Sequence, residues 1–155
     1  MTRRDDNATL MAFFLDGVSV QLTAFRSEIE DADNAGEYII QTPRFPLGRK
    51  LDVSAVSFAR RPGPSTDPWM AAGSYMFKSY GTTEVDAQRV YGLLFDALIG
   101  DPADPATQEA VLTANSIVRV EEETSGGQDM LEDFGENEGW PYVLSFWTIH
   151  FLSAS

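Results

Sequence analysis

The chain has 155 residues, an apolar fraction of 43% and an aromatic fraction of 12%, enough to bury roughly two-thirds of its extended surface in one real core. Eleven Lys and Arg stand against 24 Asp and Glu, a formal charge of −13. Such a surface repels nucleic acid and anionic membranes at long range. With no cysteine, disulfides, thiolate zinc sites and cysteine nucleophiles are excluded.

Residues 1–7 are polar and read as a flexible lead. From Ala8, apolar positions Met11, Phe14, Val18, Leu22, Phe25 and Ile29 recur every three or four residues. That spacing predicts one helix over 8–30, capped by Asn7 or Thr9 and kinked at Gly17. The alternative is a short helix followed by a strand at Val18–Leu22. No signal peptide or membrane span is expected from the apolar runs, which places the chain in the cytoplasm of the cell that makes it.

Short strands are predicted at Glu37–Thr42, stopped by Pro43, and at Val53–Arg60. Pro62–Pro68 holds three prolines and one glycine and reads, with its flanks to residue 70, as a projecting loop. A third strand follows at Ala72–Tyr80. Gly81 closes it, and Thr82 or Thr83 caps a helix over 83–99, with Glu84 and Asp86 at its positive end. Gly100-Asp101-Pro102 ends that helix. Pro105–Ala114 adds a helical turn, and Ser116–Glu123 forms a strand. The acidic, glycine-rich stretch 124–139 reads as a second projecting loop, with Gly126-Gly127 at its tip. Trp140–Leu152 is the last strand, with apolar residues on both faces and so either a central position or packing on both sides. The fold expected is a single α+β domain, a four- to five-stranded, mostly antiparallel sheet packed by two main helices.

Chemistry-bearing motifs are sparse. His150 is the one histidine and alternates with aromatics in a strand, where a packed residue is the ordinary outcome and a base lacks a partner. The carboxylates Glu121, Glu122, Glu123, Asp129, Glu132, Asp133, Glu136 and Glu138 lack EF-hand spacing and read as a solvated face. Phosphate-binding glycine motifs and a nucleophile elbow are absent. No catalytic residue, cofactor or metal is expected, although carboxylate pairs are plentiful. The basic residues Arg44, Arg49, Lys50, Arg60 and Arg61 cluster in an otherwise acidic chain. Together with Glu132 and Asp133 they suggest complementary patches suited to head-to-tail rings. Trp69, Met70 and Trp140 border loops, either as interface anchors or as caps on the core.

The segment Ser74–Ile99 (SYMFKSYGTTEVDAQRVYGLLFDALI) resembles the strand-Tyr-Gly-helix unit of the tail terminator, or tail-completion, proteins of long-tailed bacteriophages. The strand at 116–123, the loop at 124–139 and the aromatic strand GWPYVLSFWTIHF fill the following places, so the resemblance spans about residues 37–152. The long first helix and large acidic loop depart from the pattern. The resemblance implies a virion protein assembled in the host cytoplasm. It would form a homo-hexameric ring that ends tail-tube growth and contacts the tail tube protein and the head-closure or connector protein, with genomic DNA passing transiently through the lumen and no membrane involved. Another neck or tail component, a cellular adaptor domain and a carboxylate enzyme are the alternatives.

Overall fold

A computed structural model describes residues 5–46, 52–61, 70–123, 125–132 and 139–152, with side chains at 70–72 excepted. The chain order is α1 (Asp6–Asp16), α2 (Val20–Glu28), β1 (Ile40–Gln41), β2 (Ala55–Arg61), β3 (Met70–Tyr80), α3 (Glu84–Ile99), α4 (Pro105–Ala114), β4 (Ile117–Glu122), β5 (Gln128–Glu132) and β6 (Trp140–Leu152). The protein is therefore α+β, as expected. Its described residues form four helices and a six-stranded mixed sheet, more of each than the sequence suggested. The strand order is β1-β2-β3-β6-β4, with β5 also on β6. All pairings are antiparallel except β1 with β2.

The expected first helix with a kink at Gly17 is two helices meeting at 94°, and the alternative strand at Val18–Leu22 is overturned because α2 begins at Val20. Gly17 makes the break. A Cβ there would lie 2.5 Å from the Phe13 carbonyl oxygen and 2.6 Å from Leu22 Cδ1, so only glycine fits. Ser19 then starts α2 by accepting a hydrogen bond from the Leu22 amide at 3.0 Å, which satisfies one of the free amides of the first turn. Arg26 reaches back to donate to the Phe14 carbonyl at 2.7 Å and closes the C-terminal end of α1. The apolar stripe misled because it runs through the break. Leu10, Phe13 and Phe14 form the buried face of α1, Leu22 and Phe25 that of α2, while Val18 is 84% exposed.

Asp5, rather than Asn7 or Thr9, caps α1 by accepting from the Ala8 amide at 3.1 Å. Asp6 and Asn7 thus belong to the helix and Asp5 caps it, while the rest of the lead lies outside the described residues. The first predicted strand shrinks to Ile40–Gln41, and the helical turn at 105–114 is a full ten-residue helix with Asp104 as cap and Pro105 in its first turn. The helix over 83–99 follows the prediction, with Thr83 accepting from the Asp86 amide.

Alternation assigns the two faces of the sheet. Val56 and Phe58 of β2, Tyr75 and Phe77 of β3, and Trp147, Ile149 and Phe151 of β6 join the apolar residues of all four helices in one core. The helices therefore share one side. Phe14 is central, with ring centroids 5.2–6.1 Å from Phe13, Phe25, Phe58 and Phe77. Emptying such a site costs about 3–5 kcal/mol.

The predicted loop 124–139 contains an edge strand, β5 at Gln128–Glu132. β4 pairs with the second half of β6, and β5 with the first half, along the same edge. Between them the Glu123 amide still donates to the Phe146 carbonyl at 2.8 Å, and Gly126 and Gly127 take positive φ of 92° and 64°. These glycines form an interruption inside an edge, held to the sheet, instead of a free tip. The prediction of a central last strand holds, since β6 lies between β3 and the β4–β5 edge. Of the predicted loop 62–70, residues 62–69, like residues 133–138, lie outside the described residues, while Met70 already opens β3.

Candidate interaction surface

The side of the sheet away from the helices presents the other half of each strand. At one end it is covered. Phe45 folds over Tyr80 and Trp140, at centroid distances of 5.6 and 5.5 Å, and Tyr80 stacks on Trp140 at 4.0 Å. Ala55 and Tyr142 complete this second cluster. Trp140 is fully buried, and its indole N–H donates to the Val53 carbonyl at 3.3 Å. The ring therefore serves the interior of its own chain.

Beyond Tyr80 and Tyr142 the face opens. Register sets Ala59, Met76 and Phe146 side by side, with Lys78 and Leu144 in the next row. All five are half-buried. Ion pairs bound this apolar strip. At the far end Arg61 donates to Glu123 at 2.6 Å and to Ser74 at 2.7 Å, and Thr148 donates to the same carboxylate at 3.0 Å. The guanidinium lies 4.1 Å from the centroid of Phe146, a cation–π contact. At the near end Lys78 sits 3.7 Å from Glu132 and 5.1 Å from the centre of Tyr142.

Tyrosines hold the acidic edge in place. Tyr80 donates to Glu132, and Tyr91 of α3 donates to Glu122. Gln88 donates to Asp129, and Glu122 also accepts from the Gly126 amide at 2.9 Å. Burial pushes the Tyr80 hydroxyl far above its usual titration range, and the bond to Glu132 adds to this. Tyr91 is raised in the same way by burial and then by Glu122. The five carboxylates of 121–132 thus have separate jobs, with Glu121 paired to Arg119. Among the described residues no three His, Asp or Glu side chains converge as metal ligands.

The predicted basic group divides. Arg60 points to the helical side and pairs with the buried Asp6 at 3.0 Å, while Arg61 faces the open side. Arg44 is exposed on the segment leading to Phe45. Arg49, Lys50, Trp69 and Asp133 lie outside the described residues, and of Met70 only the backbone pairing with Leu152 is described. His150 is half-buried on the open face, opposite Arg119. The apolar strip itself escaped the sequence reading. Its signal was the even-numbered series Leu144, Phe146 and Thr148 beside Met76 and Lys78, but only the pairing register brings the two strands together. No protein-family model matches the chain, and the curated proteins compared with it gave no match.

Proposed function

We propose that the chain is a non-enzymatic assembly subunit, a tail terminator that forms a hexameric ring at the head-proximal end of a phage tail tube. In this reading the ring stops tube growth, meets the tail tube protein on one side and the head-closure or connector protein on the other, and lets genomic DNA through its lumen. The observation that carries the reading is the half-buried strip around Met76 and Phe146, apolar at its centre and bounded by Arg61–Glu123 and Lys78–Glu132. An apolar centre with a charged rim is the anatomy of a subunit interface. The acidic excess also suits a lumen through which DNA slides, because carboxylates release no counterions from its backbone. The strand-Gly-helix pattern at 74–99 adds the family resemblance.

Met76→Asp tests the interface. Met76 is half-buried on the side without helices, so the fold is expected to survive, as checked by circular dichroism. The variant is expected to lose ring assembly on tail tubes, scored by negative-stain imaging. Rings formed as readily as by the parent protein would remove this face from the interface.

A further inference from the structure

The α1–α2 elbow and α4 form a second surface on the helix-bearing side of the sheet. Ser19 must be extended to cap α2, and this turns its neighbours outward. Val18 is 84% exposed and Val20 81% exposed. Each borders a depression along α4. Val18 and Asp16 face Ala110, Val111 and Ala114 across a cavity of about 540 Å³. Val20 borders another of about 320 Å³ with Asp101 and Asp104, and Thr107 lines both. Thr107, Ala110, Val111 and Ala114 follow i, i+3, i+4, i+7 spacing, one stripe along the helix, while Gln108 and Leu112 are buried.

Among the described residues that line the two depressions every charged side chain is acidic, and Arg119, which borders the adjoining depression with Asp101, is paired to Glu121. No Lys or Arg occurs in residues 5–25 or 90–118. Arg26, next along the chain, is committed to the Phe14 carbonyl. Asp16, Asp101 and Asp104 are exposed at the rim. A groove whose apolar residues are Val18, Val20 and the α4 alanines and valine, with carboxylates as the charged groups of its lining, is complementary to a cationic amphipathic helix and repels an anionic one. We infer that the groove between the elbow and α4 docks a Lys/Arg-rich amphipathic helix of a partner protein, its apolar side chains set against Val18, Val20 and the α4 stripe. The groove lies opposite the open sheet face, so its occupancy and ring formation are separately measurable.

The test titrates isotope-labelled protein with an 18-residue helical peptide of Leu and Lys whose leucines lie on one face, with a Glu-for-Lys peptide as control. The expected result is amide shifts concentrated at 16–21 and 104–115, and affinity that falls as salt rises from about 50 to about 300 mM. The Val18→Asp, Val20→Asp double variant is expected to bind at least fivefold more weakly. Both positions are exposed, so its fold is expected to be retained, with an unchanged spectrum outside the elbow. No binding, shifts centred on the β4–β5 edge, equal binding of the Glu peptide, or unaltered affinity of the double variant would overturn the inference. So would valine-dependent partitioning onto phosphatidylcholine or phosphatidylglycerol vesicles, which would make the elbow a lipid contact.

Discussion

Gly126 and Gly127 allow a comparison in which one physical effect is isolated. Both have positive φ, 92° and 64°, so an alanine at either position carries a left-handed backbone cost of about 1–2 kcal/mol. Their surroundings differ. A Cβ on Gly126 meets nothing within 4 Å, whereas one on Gly127 lies 2.6 Å from Val143 Cγ1 and 3.3 Å from the Leu144 carbonyl oxygen. Val143 is fully buried and Leu144 is pinned in the β5–β6 pairing, so neither can yield without disturbing β6. Overpacking of that kind costs about 1–3 kcal/mol. Gly126→Ala is expected to destabilise by about 1–2 kcal/mol, and Gly127→Ala by about 2–5 kcal/mol. Urea unfolding at neutral pH measures both, and hydrogen exchange at β5 amides locates the damage. Equal losses in the two variants would refute the placement of Gly127 against β6.

Arg60→Met is expected to cost about 3 kcal/mol, because it removes a guanidinium from the buried carboxylate of Asp6. The Asp6→Asn, Arg60→Met double variant should recover part of that loss in urea unfolding. Alkaline pH should unfold the protein early. Burial raises the hydroxyls of Tyr75 and Tyr80 above their ordinary value, with Asp6 and then Glu132 contributing respectively. In the unfolded chain both titrate near 10, so the unfolded state gives up protons first. Stability is then full below pH 10 and falls above it, by about 1.4 kcal/mol per pH unit for each tyrosine. Urea midpoints at pH 9 and pH 11 check this, and an unchanged midpoint would contradict it.

Local signals survived the comparison of sequence with structure, and non-local ones did not. Thr83, Glu84 and Asp86 before an amphipathic run, and Gly100 after it, located α3 because capping is decided within four residues. Trp140–Leu152 was readable in full for a similar reason, since thirteen alternating residues leave little room for another conformation. The place of the elbow at Gly17 was readable, but not its size, because hydrophobic spacing continued across it by coincidence while the decisive term was a steric contact with Phe13 and Leu22. Gly126-Gly127 was misread because glycine marks both a loop tip and a break in an edge, and only the β6 partner separates them. The Arg61–Glu123 pair joins residues 62 positions apart, which depends on the register of four strands. The same register turned Arg60 to the helices and Arg61 to the open face, dividing what looked like one basic patch.

The claim that this is a ring-forming subunit is tested most directly by its assembly state. Light scattering coupled to size-exclusion chromatography, followed by negative-stain imaging, would be applied to the protein alone and mixed with tail tubes from the same virion. A closed ring six times the mass of the chain, free in solution or seated at tube ends, is the predicted result. A species that stays monomeric under both conditions and never decorates tube ends would contradict it.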